Sequence, residues 1–214
     1  MTARRTAFWA GVLYLLTFVT SIPAVALKGG LLDDPGSASA IGPARAGAAL
    51  ELVLAVACVG TAVVLYPVVR AHGERAALGF VAARVLEASM ILVGVLVVLA
   101  FAEGVVGDAV APAFVGIHDA AFLVGPDTVP ALNALLLAPL LLRGGLVPRA
   151  IPLVGLVGAP LLLVSALGAV AGWIDQVSVL AGLLALPIAA WELSLGLWLL
   201  VRGFASARVT PAAA

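Results

Sequence analysis

The chain of 214 residues has little charge: 10% of its residues are Asp, Glu, Lys or Arg, 64% are hydrophobic, and the mean hydropathy is +1.25. A soluble globular domain carries about 25% charged residues, so this composition excludes that class. The net charge is zero, which gives no basis for binding nucleic acid. We therefore expect an integral membrane protein that has the lipid bilayer as its partner.

Cysteine, histidine and catalytic motifs are equally scarce. The one cysteine, Cys58, excludes an intrachain disulfide, and the two histidines, His72 and His118, form no HEXXH pair. P-loop, GxSxG and CxxC motifs are absent from the sequence. The residues therefore identify no cofactor and no metal, and they do not favour an enzyme.

Six long apolar stretches are present instead. A transmembrane helix needs roughly 20 mainly apolar residues to cross about 30 Å of hydrocarbon. Barrel strands are excluded because they are about 10 residues long and alternate in polarity. The sequence thus predicts an all-α membrane bundle of six transmembrane helices in a single domain, with spans at about residues 6–27, 44–69, 77–102, 112–142, 150–172 and 177–201.

The fourth stretch differs from the others because the sequence GPDTVP interrupts it at residues 125–130. Pro126 and Pro130 each lack a backbone N–H, so a continuous helix would lose hydrogen bonds there. Such interruptions are tolerated in a membrane where neighbouring helices bury them. We expect this span to kink or break near residues 125–130.

Positive charge alternates between the connections and predicts the orientation. Arginines precede the first stretch and follow the second, fourth and sixth, at Arg4, Arg5, Arg70, Arg75, Arg143, Arg149, Arg202 and Arg208. By the positive-inside rule both termini are cytoplasmic, in a multi-pass protein of the cell membrane. The alternative is that the first stretch is a signal peptide, since residues 24–26 resemble a cleavage site. Its apolar run is longer than the roughly 7 to 15 residues usual in signal peptides.

Four ionisable residues within the stretches, Arg84, Glu87, Asp127 and Glu192, are too costly in hydrocarbon to lack partners. Arg84 and Glu87 are three residues apart and share a helix face, while Glu192 and Asp127 lie at comparable depth. We expect the four to meet at one polar centre that binds or passes a small ligand or a proton. Because three acids face one base, either some carboxyls are protonated or a cationic ligand balances them.

A second polar group is expected nearer the outer face, formed by Arg45, Glu51, His118 and Asp119. Adjacent residues such as His118 and Asp119 diverge by about 100° on a helix. This disfavours a metal site and favours ion pairs from Arg45 to Glu51 or to Asp119.

Small residues predict how the helices pack. Gly168 and Gly172 form a GxxxG motif, and Gly155 and Ala159 form a second small pair in the same stretch. We interpret them as contacts between helices of one chain, with a homodimer face as the alternative. A homodimer is also suggested by the short chain, because two copies enclose a path more readily than one.

Several short motifs together resemble a known family. They are AGVLYLLT at residues 10–17, LYPVVR at 65–70, RVLEA at 84–88, GLVPR at 145–149, WE at 191–192 and LWLLVRG at 197–203. In order and spacing they resemble the bacterial membrane-protein family known as domain of unknown function 4386. The resemblance implies six-helix membrane proteins of unassigned activity. Arg84, Glu87 and Glu192 fall on family features, whereas the GPDTVP sequence around Asp127 departs from the family pattern.

Three interpretations of the polar centre remain open. It lines a cavity for a ligand or a transported species, or its charges are satisfied internally in a structural or regulatory membrane protein. A third interpretation is an intramembrane enzyme in which a carboxylate acts as acid and base on a lipid or a quinone. Solvent access to the centre would favour the first interpretation over the second, and a lateral opening would be required by the third.

Overall fold

In the computed structural model, which describes residues 2–205, the chain is 83% helical. Six helical segments are long and apolar enough to span a membrane, which confirms the all-α, six-span fold. The spans are α1 (Ala3–Asp33), α2 (Ala38–Val69), α3 (Glu74–Ala102), the pair α4 (Ala111–Val124) and α5 (Val129–Gly144), α6 (Ala150–Val170) and α7 (Val179–Val201). A 3₁₀ turn, Arg70–His72, follows α2. Arg208, one of the arginines used to predict orientation, lies outside the described residues.

The spans form a closed ring. Neighbours along the chain pack together, with α5 taking the place of the fourth span beside α3 and α6, and α7 packs back against α1. The helix α4 packs against α3 and touches α6 only lightly, and it makes no extensive contact with α1. A gap therefore separates α1 from α4, and we call it the α1–α4 gap.

The ring closes where α1 and α7 approach at glycines. A Cβ atom on Gly11 would lie 2.5 Å from the backbone nitrogen of Leu200, and one on Gly196 would lie 2.9 Å from the Cβ of Tyr14. Side chains are excluded at these contacts because the backbones are too close. The same approach places Tyr14 of α1 and Glu192 of α7 on the inside of the ring.

The fourth span breaks at residues 125–128, which confirms the interruption expected from the prolines. The Thr128 hydroxyl donates to the Leu123 carbonyl at 2.7 Å, so the turn satisfies part of the broken backbone ladder. Gly125 lies against α3, where an added Cβ would come 2.4 Å from the Cβ of Met90. The break thus leaves α5 close to α3 and turns α4 away from α1.

The outer surface of the ring is apolar. Leucine, valine and isoleucine side chains are exposed on every span, for example Val19, Val56, Leu96, Val164 and Leu183. A water-soluble monomer rarely exposes contiguous apolar patches on this scale. Together with the length of the spans, this surface implies contact with the lipid bilayer.

The first helix extends beyond its predicted span of about residues 6–27. The helix α1 continues to Asp33, so Lys28 lies within it and not in the connection after it. Arg4 donates to the carbonyls of Leu200 and Val201, at 3.2 Å and 3.0 Å, so the start of α1 and the end of α7 lie at one end of the bundle. The side of the membrane on which that end lies stays a prediction.

The small residues of α6 pack within the chain. A Cβ on Gly155 would lie 2.6 Å from the Trp191 ring, and one on Gly158 would lie 2.8 Å from the backbone nitrogen of Ile188. Gly168 lies against Ile174 in the connection that follows α6. The contacts of Gly155 and Gly158 thus pack α6 against α7. Gly172 of the predicted GxxxG motif follows α6, and an added Cβ there would meet nothing within 4 Å.

Candidate functional site

Arg84 of α3 lies at the centre of the ring, with 1% of its side chain exposed. Its Nη1 donates to Glu87 Oε2 at 3.0 Å, and its Nη2 donates to Glu192 Oε1 at 2.7 Å. Glu87 lies on the same helix face, one turn away, as the spacing predicts. Glu192 reaches the pair from α7. The structure therefore brings together three of the four residues expected at the polar centre.

Three further side chains complete this group, which we call the Arg84 centre. Asn133 Nδ2 of α5 donates to Glu87 Oε2 at 2.7 Å, and Cys58 of α2 places its sulfur 3.8 Å from Arg84 Nη1. The Tyr14 ring of α1 lies 5.2 Å from the Arg84 guanidinium carbon, within cation–π range. Five of the seven α-helices found in residues 2–205 thus contribute to one buried cluster.

The charges of the Arg84 centre do not balance when both carboxyls are ionised, since one guanidinium faces two carboxylates. Within the described residues, three polar atoms buried here have no hydrogen-bond partner: the Tyr14 hydroxyl, Arg84 Nε and Asn133 Oδ1. Buried polar atoms are normally paired. The cluster therefore contains hydrogen-bonding groups, and with both carboxyls ionised a negative charge, that no described residue satisfies.

A cavity of about 140 Å³ borders the Arg84 centre, and we call it the inner cavity. An apolar cavity of about 150 Å³ holds a molecule the size of benzene, so this volume suits a small ion or a small amine. Its polar lining consists of charged, hydroxyl and thiol groups, from Arg84, Glu87, Glu192, Thr17, Ser21 and Cys58. Its apolar lining consists of Phe18, Leu54, Ile91, Pro126 and Pro130. Of the two carboxylates, Glu192 is the more accessible, with 12% of its side chain exposed against 7% for Glu87.

Asp127 lies apart from the Arg84 centre. Its Oδ2 accepts a hydrogen bond of 2.8 Å from Gln176 Nε2, in the connection between α6 and α7. The two residues line a separate cavity of about 120 Å³ that also includes Ser165. The break in the fourth span explains this position, because the turn directs Asp127 towards α6 and α7 and away from α3.

The second polar group is rearranged relative to expectation. Glu51 pairs with Lys28, whose side chain is 3% exposed and whose ammonium lies 5.3 Å from the centre of the Phe122 ring. His118 Nδ1 and Asp119 Oδ1 are 3.0 Å apart although the residues are adjacent. These residues, without Glu51, line a cavity of about 360 Å³ between α1 and α4, which we call the gap cavity.

Arg45 does not join this group. Its Nη2 donates to Glu103 Oε1 at 2.7 Å and to the Ala102 carbonyl at 3.3 Å, and the pair is exposed at the end of α3. Within residues 2–205, no cluster of three or more His, Cys, Asp or Glu side chains has the arrangement of a metal site.

Comparison with known proteins adds the family but no activity. The family model described as "Domain of unknown function (DUF4386)" matches residues 9–203. No curated protein and no solved structure matches the sequence.

Proposed function

We propose, starting from the premise that this chain belongs to the DUF4386 family, that it binds a small monovalent cation at the Arg84 centre and passes it across the cell membrane. The cation is a proton or an ammonium-type ion. The observation that carries the proposal is that two carboxylates oppose one guanidinium at the wall of the inner cavity.

The excess negative charge supports a cationic ligand. An unpaired carboxylate in a membrane interior is strongly disfavoured, so the second carboxylate calls for a positive partner or a proton. An anion would add a third negative group beside Glu87 and Glu192. A neutral ligand would leave the imbalance in place.

Glu192 is the residue that takes the cation. Glu87 already accepts from both Arg84 and Asn133, whereas Glu192 accepts from Arg84 alone among the described residues. Glu192 also lies on a helix that contains Pro187, five residues before it. Proline removes a backbone hydrogen bond and eases local bending, which helps a carboxylate to alternate between two partners.

The test compares the wild type with Glu192→Gln, using Glu74→Gln as the matched control because Glu74 is exposed in the first turn of α3, outside the centre. Purified protein in mild detergent is titrated with methylammonium chloride while tryptophan fluorescence is followed, since Trp191 adjoins Glu192. Choline chloride at equal ionic strength corrects for salt. Native mass spectrometry then shows whether methylammonium remains bound. We expect saturable binding in the wild type and the control, and its loss in Glu192→Gln.

A proton as the natural ligand gives a different pattern. The fluorescence of the wild type then changes with pH, the change is absent from Glu192→Gln, and methylammonium has no effect. A wild type that responds to neither ligand, together with a Glu192→Gln variant of lower stability, would refute the proposal. That outcome would establish the structural interpretation, in which Arg84 joins α3 to α7.

A further inference from the structure

We infer that the α1–α4 gap is the route by which the cation reaches the Arg84 centre, and that Lys28, Glu51 and Phe122 close this route at rest. The inference rests on the proposed function, because it names the path to the same site. It explains why a buried ion pair lies in the gap and why the fourth span is broken.

Two cavities follow one another along the gap. The inner cavity reaches Ser21 on α1 and Pro126 in the turn after α4, and the gap cavity begins at Val25 and Phe122. On α1 the step is four residues, or roughly 6 Å along the helix. About one helical turn of α1 therefore separates the two cavities.

The gap cavity continues to the end of the bundle. A third cavity, of about 600 Å³, shares Leu32, Asp33 and Val115 with it and is also lined by Asp34 and Asp108. These carboxylates attract cations to the mouth of the route. We call this the acidic end. Arg45 is paired with Glu103, so its positive charge is partly neutralised.

Lys28 lines the gap cavity beside Phe122, where that cavity begins. Its ammonium is bonded to Glu51 and lies over the Phe122 ring, and the His118 ring stacks on the same phenylalanine at 6.4 Å. A carboxylate and an aromatic face are the groups that bind an ammonium ion. Lys28 therefore fills the binding groups that a passing cation would use, and the route is closed while it stays there.

Two buried acceptor atoms near Lys28 can bind a cation when the Lys28 ammonium moves away. Glu51 Oε2 and His118 Nε2 have no hydrogen-bond partner within the described residues. The Asp119 carboxylate accepts from His118 Nδ1, which leaves Nε2 as an acceptor in the neutral ring. Acceptors thus follow one another from the acidic end through Glu51 to Glu192, and this order suits a cation and disfavours an anion.

The chain supplies its own reporter, because its one cysteine, Cys58, is buried and lines the inner cavity. We would measure its rate of reaction with two membrane-impermeant methanethiosulfonates, one carrying trimethylammonium and the other sulfonate. The variant is Phe122→Ala, which removes the ring that holds Lys28. The matched control is Phe8→Ala, which removes a ring that is 41% exposed on the outer surface.

We expect Cys58 in Phe122→Ala to react with the cationic reagent about tenfold faster than in the wild type, because the reaction rate follows the population of the open route. The anionic reagent should gain much less, and Phe8→Ala should match the wild type. In Phe122→Leu, which keeps most of the apolar volume, Cys58 should react at a rate between those of the wild type and Phe122→Ala. This variant is a second test in case Phe122→Ala does not fold.

Equal rates in the wild type and both Phe122 variants would overturn the route, and equal gains for both reagents would overturn its preference for cations. This experiment needs no bound ligand, so its failure differs from failure of the proposed function. If methylammonium binds but Cys58 is not labelled faster in the Phe122 variants, only the proposed route is refuted. If Cys58 is labelled faster but the protein responds neither to cations nor to pH, the proposed ligand is refuted and the route is supported.

Discussion

Replacement of Arg84 by methionine tests whether the charges of the Arg84 centre are as strongly coupled as their geometry indicates. The change removes two charge-assisted hydrogen bonds, of 3.0 Å and 2.7 Å, each worth roughly 1.5 to 3 kcal/mol. It also leaves Glu87 and Glu192 buried without their positive partner. Breaking a buried pair in this way costs about 3 to 5 kcal/mol. We therefore expect Arg84→Met to lower the free energy of unfolding by about 3 to 5 kcal/mol.

The assay is reversible unfolding in mixed micelles by increasing sodium dodecyl sulfate, followed by far-ultraviolet circular dichroism. Arg75→Met, on the exposed part of the same helix, is the matched control and should change stability by less than about 0.5 kcal/mol. The triple variant that adds Glu87→Gln and Glu192→Gln should regain most of the loss, because no uncompensated charge remains. If the triple variant is as unstable as Arg84→Met, packing of the arginine and not its charge explains the effect, and our reasoning is refuted.

Two further predictions concern the ring and the gap. Gly11→Ala should destabilise the protein by roughly 1 to 3 kcal/mol because its Cβ would meet Leu200. The control Gly116→Ala, in an open and exposed position of α4, should stabilise the protein by up to about 1 kcal/mol. Equal melting temperatures for the two variants would contradict the close approach of α1 and α7. Lys28→Met should cost about 3 to 5 kcal/mol by leaving Glu51 unpaired, and the double variant with Glu51→Leu should recover stability in the same detergent titration.

The six spans could be predicted because their signal is length and composition, which the bilayer thickness fixes. The pairing of Arg84 with Glu87 could also be predicted, since both lie on one helix and their spacing sets their direction. The contact of Glu192 with Arg84 could be predicted from the depth of each residue in the membrane. An approximate depth is enough because the arginine and glutamate side chains are long.

The position of Asp127 could not be predicted, because its direction depends on the turn between α4 and α5 and not on its depth. Asn133 and Tyr14 were missed as partners because neutral side chains carry no charge penalty in the membrane to single them out. The predicted first span, at about residues 6–27, stops just before Lys28 because the apolar run ends there. The helix nevertheless continues, and Glu51 compensates the buried ammonium.

The closed ring has a consequence for how the protein is made. Arg84 and Glu87 are synthesised on the third span, but Glu192 arrives with the last span, more than 100 residues later. A chain that has inserted its first five spans therefore holds Arg84 without one of its two partners and Tyr14 without α7 beside it. The ring closes only when α7 packs against α1, so the last helix to be synthesised completes both the ring and the Arg84 centre.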